Sequence, residues 1–488
     1  MISARVGLVW SLVERYVILL IGIAASVVLA RLLTPAQVGV FSLCAATVAI
    51  ANTVRDFGVG DYIIQERRLD RDKMRAAFAV AVTTAWSIGL LLFLSRELLA
   101  RSFGSPEISS LIAILSMGFF IAPLASPAYA MLNREMAFRQ IFFIQLACAV
   151  AQALTSVLLA LRGFGAQSLA WGVVAGVAVQ ALIVTALSPK TSLLWPKLSG
   201  ARAVFRFGAY QMSSRILDTA TSGAHEFVIA RQFGFTSVGL FSRAKTFVDM
   251  FHNNVTAALT RVATPALANA HRADESLVER FARGTALITS VSWPFFGFLA
   301  LATPELIRVL YGAQWDQSAA TASWLAIGML PTALSTLSSA VMTAMGAVER
   351  RLNISLIWCP VHLVGLGIGS MYSLEAMAMA WVCTNCVIAI LYTRQMRALL
   401  NATLRQLYGP SAKSLVVVAA TAGVQTAALA WMRAEAMPKV VILFVAAAVG
   451  FGVWLVCVRS LRHPVYEELI RVAHRLGVPW PAARAAGA

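Results

Sequence analysis

Apolar stretches of about 20 residues follow one another almost without pause along this chain, and that is the length a helix needs to cross the hydrocarbon core of a bilayer. Inside hydrocarbon every backbone N–H and C=O must find its partner within the protein, so such stretches can only be helices. Of the 488 residues 59% are hydrophobic and 13% charged, with a mean hydropathy of +0.75. That charged share is about half of what soluble domains carry. The sequence therefore predicts an all-α membrane protein with about 14 transmembrane helices. They are expected near 8–32, 37–55, 76–99, 108–132, 141–161, 167–188, 208–231, 238–260, 285–307, 321–345, 352–372, 374–393, 413–432 and 438–458. The first run carries Glu14-Arg15 and has no clear small-residue cleavage site, so it is expected to stay as a membrane helix.

A word recurs within this pattern. Ala30-Arg31 to Ser42 and Ala230-Arg231 to Ser242 both read A-R-x₆-V-G-x-F-S, at an offset of 200. Glu97-Leu98-Leu99 with Phe103-Gly104 returns as Glu305-Leu306-Ile307 with Tyr311-Gly312. Ser168-Leu169-Ala170-Trp171 returns as Ala378-Met379-Ala380-Trp381. Three matches in one order at nearly one spacing point to a duplicated unit of roughly 200 residues. An even number of helices per unit makes the two copies parallel in the membrane. The expected organisation is an N-lobe over 1–190 (helices 1–6), a C-lobe over 191–400 (helices 7–12), two appended helices over 401–460, and a tail over 461–488. The lobes would enclose a central cavity. Val465, Leu469, Ile470, Ala473 and Leu476 fall on one helical face, so the tail is read as a short interfacial helix or a disordered end.

The net charge is +18, which in a soluble protein would suggest nucleic acid. Its distribution says otherwise. With the N-terminus in the cytoplasm, the loops on that side hold 27 of the 40 Lys and Arg, including Arg67, Arg68, Arg71, Lys73 and Arg75. The other side holds 8, namely Arg31, Arg96, Arg101, Arg162, Arg231, Arg308, Arg433 and Lys439. Positive loops stay cytoplasmic, so both termini are expected there, beside anionic membrane lipids. No nucleic acid is needed to explain the charge.

Five cations are left: Arg15, Arg55, Arg215, Arg243 and Lys245. Charge within a span is costly and marks a functional candidate. Arg15 and Arg215 are related by the repeat offset and are expected at similar depth, facing a cleft, or else snorkelling to the inner interface beside Glu14 and Asp218. Gln211, Arg215, Asp218, Ser222 and His225 form one stripe on the seventh span, and Lys245, Asp249, His252, Thr256 and Thr260 form another on the eighth. Arg243 lies off that line, in the outer third. The stripes read as the wall of a wet passage or as a polar network between helices. Arg15, Arg215, Arg243 and Lys245 suit an anionic substrate, because guanidinium and ammonium groups recognise phosphate.

No catalytic pattern accompanies them. The chain lacks a phosphate-cradling G-x-x-x-x-G-K-[ST] and an H-E-x-x-H, and Asp56-Phe57-Gly58 has no kinase context around it. The expectation is a protein that is not an enzyme and carries no cofactor or metal. Cys383-x-x-Cys386 is the one cysteine pair with motif spacing; it sits in an apolar run and is read as small buried residues.

Leu29-Ala30-Arg31-Leu32-Leu33-Thr34-Pro35 with Val38-Gly39, then Arg55-Asp56-Phe57-Gly58-Val59-Gly60 and Gln65, resembles the polysaccharide transporter family. These are the O-antigen and exopolysaccharide flippases of the multidrug/oligosaccharidyl-lipid/polysaccharide superfamily. Ile229-Ala230-Arg231 and Gly239-Leu240-Phe241-Ser242-Arg243-Ala244 resemble its turn between helices seven and eight. The resemblance implies a flippase in the bacterial cytoplasmic (inner) membrane, working by alternating access. Its substrate would be an undecaprenyl-pyrophosphate-linked oligosaccharide, moved from the inner to the outer leaflet for O-antigen, capsule or exopolysaccharide assembly. H+ or Na+ would be the coupling ion, and a polymerase and chain-length regulator the pathway partners. Where the family often has an acidic or amide residue, this chain has His225, with Glu226 rotated about 100° round the helix. The alternatives are a multidrug/cation antiporter of the same superfamily, in which carboxylates would dominate, a lipid-II-type flippase, and a membrane glycosyltransferase or polymerase. The short outward loops argue against the last.

Overall fold

The computed structural model describes residues 4–56, 58–66, 69–189, 201–272 and 276–475, with side chains described for all of these except 4–9, 11–12, 201–215, 254–266, 268–272, 348 and 472–475. Helices account for nearly all of them: α1 Ala4–Leu32, α2 Pro35–Asp56, α3 Val59–Gln65, α4 Arg71–Phe103, α5 Glu107–Ile121, α6 Ser126–Arg134, α7 Phe138–Leu161, α8 Ala166–Leu187 and α9 Ala201–Arg272. There follow α10 Leu277–Leu310, α11 Ser318–Ser335, α12 Ser338–Ala344, α13 Val348–Ser370, α14 Leu374–Leu400, α15 Leu404–Tyr408, α16 Ala412–Ala434, α17 Lys439–Ser460 and α18 Pro464–Arg475.

Twelve spans among the described residues are long and apolar enough to cross a membrane. They coincide with twelve of the expected positions, and the chain is a multi-pass membrane protein. The other two, 208–231 and 238–260, both fall in α9, a 72-residue helix broken at Gly234 (φ 78°, ψ 176°). Only glycine adopts that backbone region without severe strain. The sequence reads a turn there; the structure makes it a single-residue kink.

By its contacts the chain divides into two compact units, Met1–Ser242 and Arg243–Ala488. In the first, Val40, Leu43, Cys44 and Val48 of α2 join Leu111, Ile112, Leu115 and Phe119 of α5 and Ala170 and Val174 of α8 in one core. α7 lies between α1 and α8. Small residues let these backbones approach, as membrane helices require when lipid is as apolar as leucine.

A close backbone approach joins the two copies of the repeated word. Thr34-Pro35-Ala36-Gln37 starts α2 with a capping box, Gln37 N–H donating to Thr34 Oγ1 (3.3 Å) and Thr34 N–H to Gln37 Oε1 (3.0 Å). Pro35 occupies the first helical position, where its missing N–H costs nothing. One turn on, α2 crosses α9. A Cβ on Gly39 would lie 1.8 Å from the Phe235 carbonyl oxygen, and one on Gly239 would lie 1.9 Å from that of Pro35. Ser42 and Ser242 hydroxyls meet at 2.9 Å beside this crossing. Residues offset by 200 thus face their own counterparts, as at a local two-fold axis.

In the second unit α10 is the central helix, packed by α11, α16 and α17. Its Glu305 carboxylate receives two N–H bonds from Arg433 of α16 (2.8 and 2.9 Å), a bidentate pair that fixes the two helix ends together. The tail helix α18 docks through Val465, Tyr466, Leu469 and Ile470 onto Val417, Val458 and Leu287. Arg283 of α10 reaches its Glu467 at 2.9 Å. Of the expected amphipathic face, Ala473 lacks a described side chain and Leu476 lies outside the described residues. Cys383 and Cys386 are exposed on the outer side of α14, correcting the expectation that both are buried. Three residues apart on an apolar helix, they share one exposed face.

Candidate functional site

Two polar regions stand out against the apolar interior. The first is in the unit 1–242, where α2 ends at Arg55-Asp56 and a left-handed Gly58 (φ 65°) turns the chain into α3. Beneath that turn is a cavity of about 370 Å³, lined among others by Arg55, Asp56, Asp61, Tyr129, Asn133 and Gln180. Arg55 binds the Asp56 carboxylate through Nε (3.1 Å) and Nη2 (2.7 Å). Gln145 Nε2 donates to Tyr129 Oη (2.6 Å), and Asn133 Nδ2 to the Tyr129 carbonyl (3.0 Å). The walls are tied together, Arg134 of α6 donating to Ile63 O of α3 and Lys73 of α4 to Glu66 (2.9 Å). Five of the lining residues, Arg55, Asp56, Gly58, Val59 and Gly60, belong to the family word; Phe57 within it lies outside the described residues. Asp61 directly follows that word, whereas Tyr129, Asn133 and Gln180 escape sequence reasoning because α6 and α8 deliver them from far along the chain.

The second region follows the expected stripes. On the N-terminal part of α9, His225 is buried (1% exposed) with Phe241 beside its ring, and its Nε2 lies 2.9 Å from Glu226 Oε1. The 100° rotation between adjacent helical positions does not part them, because the glutamate stem is long enough to reach back. Ser222 Oγ donates to Thr219 O (2.9 Å), and Thr53 of α2 donates to Thr219 Oγ1 (3.2 Å). Asp218 and Arg15 are half-buried. The side chains of Gln211, Arg215 and Thr256 lie outside the described residues.

In the unit 243–488, Lys245 and Asp249 form an ion pair one helical turn apart, and Lys245 Nζ lies 5.5 Å from the centre of the Trp381 ring. Trp381 meets His362 edge-on at 5.0 Å, and His362 stacks on Trp358 at 4.8 Å. Arg243 is held over Tyr311 (5.0 Å) and Trp315 (4.8 Å), a stacking that orients the guanidinium. His252 lies against Phe296 at 6.0 Å. Lys245 and Asp249 are therefore brought together, while Arg243 and His252 have aromatic neighbours of their own. His362, Trp358 and Trp381 escape the stripe argument, since a lone histidine in an apolar run gives no periodicity. Among the described residues no three His, Cys, Asp or Glu side chains cluster as a metal would require.

Charged side chains thus lie inside the helical bundles of this multi-pass membrane protein, beside a polar cavity, a placement that marks a functional site. The fold matches the lipid II flippase MurJ in an inward closed conformation (TM-score 0.76, 12% identity, covering 95% of this chain and 100% of that one). It also matches a multidrug resistance MATE family transporter of the MOP superfamily in an inward-facing conformation (TM-score 0.65, 16% identity, 78% and 94%). The polysaccharide biosynthesis protein family profile matches residues 28–320, and the chain belongs to that family. It is 23% identical to the lipopolysaccharide biosynthesis protein WzxC of Escherichia coli (strain K12), over 64% of this chain and 63% of that protein. It is 27% identical to the succinoglycan biosynthesis transport protein ExoT of Rhizobium meliloti (strain 1021), over 62% and 60%. The teichuronic acid biosynthesis protein TuaB of Bacillus subtilis (strain 168) is 22% identical over 77% and 78%. The match thus spans somewhat under two thirds of the length of the first two.

Proposed function

We propose that this chain is a flippase for polyprenyl-pyrophosphate-linked oligosaccharides, moving them from the inner to the outer leaflet of a bacterial cytoplasmic membrane. The observation that carries the reading is the family match across residues 28–320, on a fold shared with a lipid II flippase. The charge distribution supports it: with both termini cytoplasmic, the end of α2 that carries Arg55 and Asp56 lies on the side where such lipids are made. Arg15, Arg215, Arg243 and Lys245 serve the pyrophosphate, while the polyprenyl tail stays in lipid. The duplicated halves are the moving parts of an alternating-access cycle. H+ or Na+ supplies the coupling, and the polymerase and chain-length regulator of the same pathway receive the product. Transport of this kind breaks no bond in the substrate and calls for no catalytic residue.

Replacing Arg15 and Arg215 together by Ala tests the reading in cells. Polymer export is expected to fall to background while the variant still inserts into the membrane at wild-type level. Undiminished export overturns the assignment of these arginines.

A further inference from the structure

We infer that the end of the α16–α17 hairpin that meets α18 holds the phosphate of an anionic phospholipid, with Lys413, Arg459 and Arg462 as its ligands. Such a ligand comes from the bilayer itself, so the site stands apart from the transport reading. The turn from α17 into α18 brings the three cations together. Arg462 N–H donates to Arg459 O (3.2 Å) and His463 N–H to Val458 O (3.0 Å), the pair of bonds that closes a helix on a left-handed residue. That residue is Arg462 (φ 46°), at a position where glycine would sit without strain. From the first turn of α16, Lys413 Nζ donates to the Arg462 carbonyl (3.3 Å), which leaves it two further N–H groups.

Like charges gathered in this way repel one another unless an anion lies among them. Other cations at this end have their anion: Arg283 pairs with Glu467 (2.9 Å) and Arg471 with Glu468 (2.6 Å). Lys413, Arg459 and Arg462 are exposed, and among the described residues no carboxylate lies within ion-pair distance of them. The chain from 472 onward holds no Asp or Glu that could supply one. Next to the charges the surface is apolar. On α16, Val416, Val424 and Trp431 follow Lys413 at offsets of 3, 11 and 18, one exposed stripe on a helix. On α17, Val456, Val445 and Val441 precede Arg459 at offsets of 3, 14 and 18, a second such stripe. A cation at the head of a lipid-exposed apolar stripe suits an amphiphile, its phosphate at the helix end and its acyl chains along the helix. A free phosphate would use only the cations, and a neutral phospholipid only the stripes.

Native mass spectrometry of the full-length protein in detergent tests this with three probes. These are phosphatidylglycerol, phosphatidylcholine with the same acyl chains, and glycerol phosphate as the headgroup alone. Each cation beside a headgroup is worth about five-fold in affinity. Arg459→Gln should therefore weaken phosphatidylglycerol about five-fold, and Lys413→Gln, Arg459→Gln and Arg462→Gln combined about a hundred-fold, with phosphatidylcholine unchanged. Arg394→Gln, Arg397→Gln and Arg405→Gln combined remove as much charge from the neighbouring α14 and α15. That variant should keep phosphatidylglycerol within about two-fold of wild type, since the attraction at issue is local. An equal loss there would mean diffuse surface attraction and overturns the site. Undiminished binding in Arg459→Gln also overturns it, and decides the matter should the triple variant fail to fold. Displacement of phosphatidylglycerol by equimolar glycerol phosphate makes this a site for soluble anions and overturns the lipid assignment.

Discussion

His463 shows how one buried imidazole organises its surroundings. It is fully buried between α17 and α18, just outside the last span. The Val465 N–H donates to its Nδ1 (3.3 Å), so the hydrogen sits on Nε2 and points to Ser414 Oγ (3.1 Å). The Ser414 hydroxyl is then directed to Thr289 Oγ1 (2.9 Å), which donates to Thr285 O (2.9 Å). A second proton on His463 would break the first of these bonds. Burial, with the nearby Lys413 ammonium, depresses its pKa from 6.5 to about 4. The unfolded chain therefore takes up the proton first, and the stability present above pH 6.5 is lost as pH falls toward 4. Thermal unfolding in detergent at a series of pH values checks this. The melting temperature of the wild type should drop more steeply between pH 6.5 and 4.5 than that of His463→Gln.

At the scale of elements, the crossing of α2 and α9 is the feature most exposed to mutation. A single methyl group at Gly39 must displace a backbone carbonyl, which no side-chain rotation can relieve. Gly39→Ala is expected to cost at least the 1–3 kcal/mol typical of overpacking, read as a lower melting temperature and less folded protein after extraction, with a wild-type result counting against the crossing. In a background without the native cysteines, Ser42→Cys with Ser242→Cys should form a disulfide under mild oxidation, and Gly39→Ala should suppress it.

The spans were legible in the sequence because 20 apolar residues have few alternatives in a bilayer, and the repeated word was legible because its offset is constant. The union of two spans into α9 was not, since a glycine-rich polar turn and a kink at Gly234 read alike. The cavity was legible only on its Arg55–Gly60 side; packing, not spacing, brings Tyr129, Asn133 and Gln180 to it.

For the whole molecule, orientation in the membrane follows from where the cations are placed, through many small contributions that point the same way. Fusions test it directly. A fluorescent protein joined after Met136 should fold and fluoresce in the cytoplasm, and alkaline phosphatase joined after Gly163 should be active outside. The reverse pattern would invert the chain in the membrane.

The meeting of Gly39 with Gly239, and of Ser42 with Ser242, has a historical consequence. Each copy of the repeated word supplies the surface against which the other is fitted. A bulkier residue in one copy collides with the backbone of the other, so this region is free to change only in matched steps.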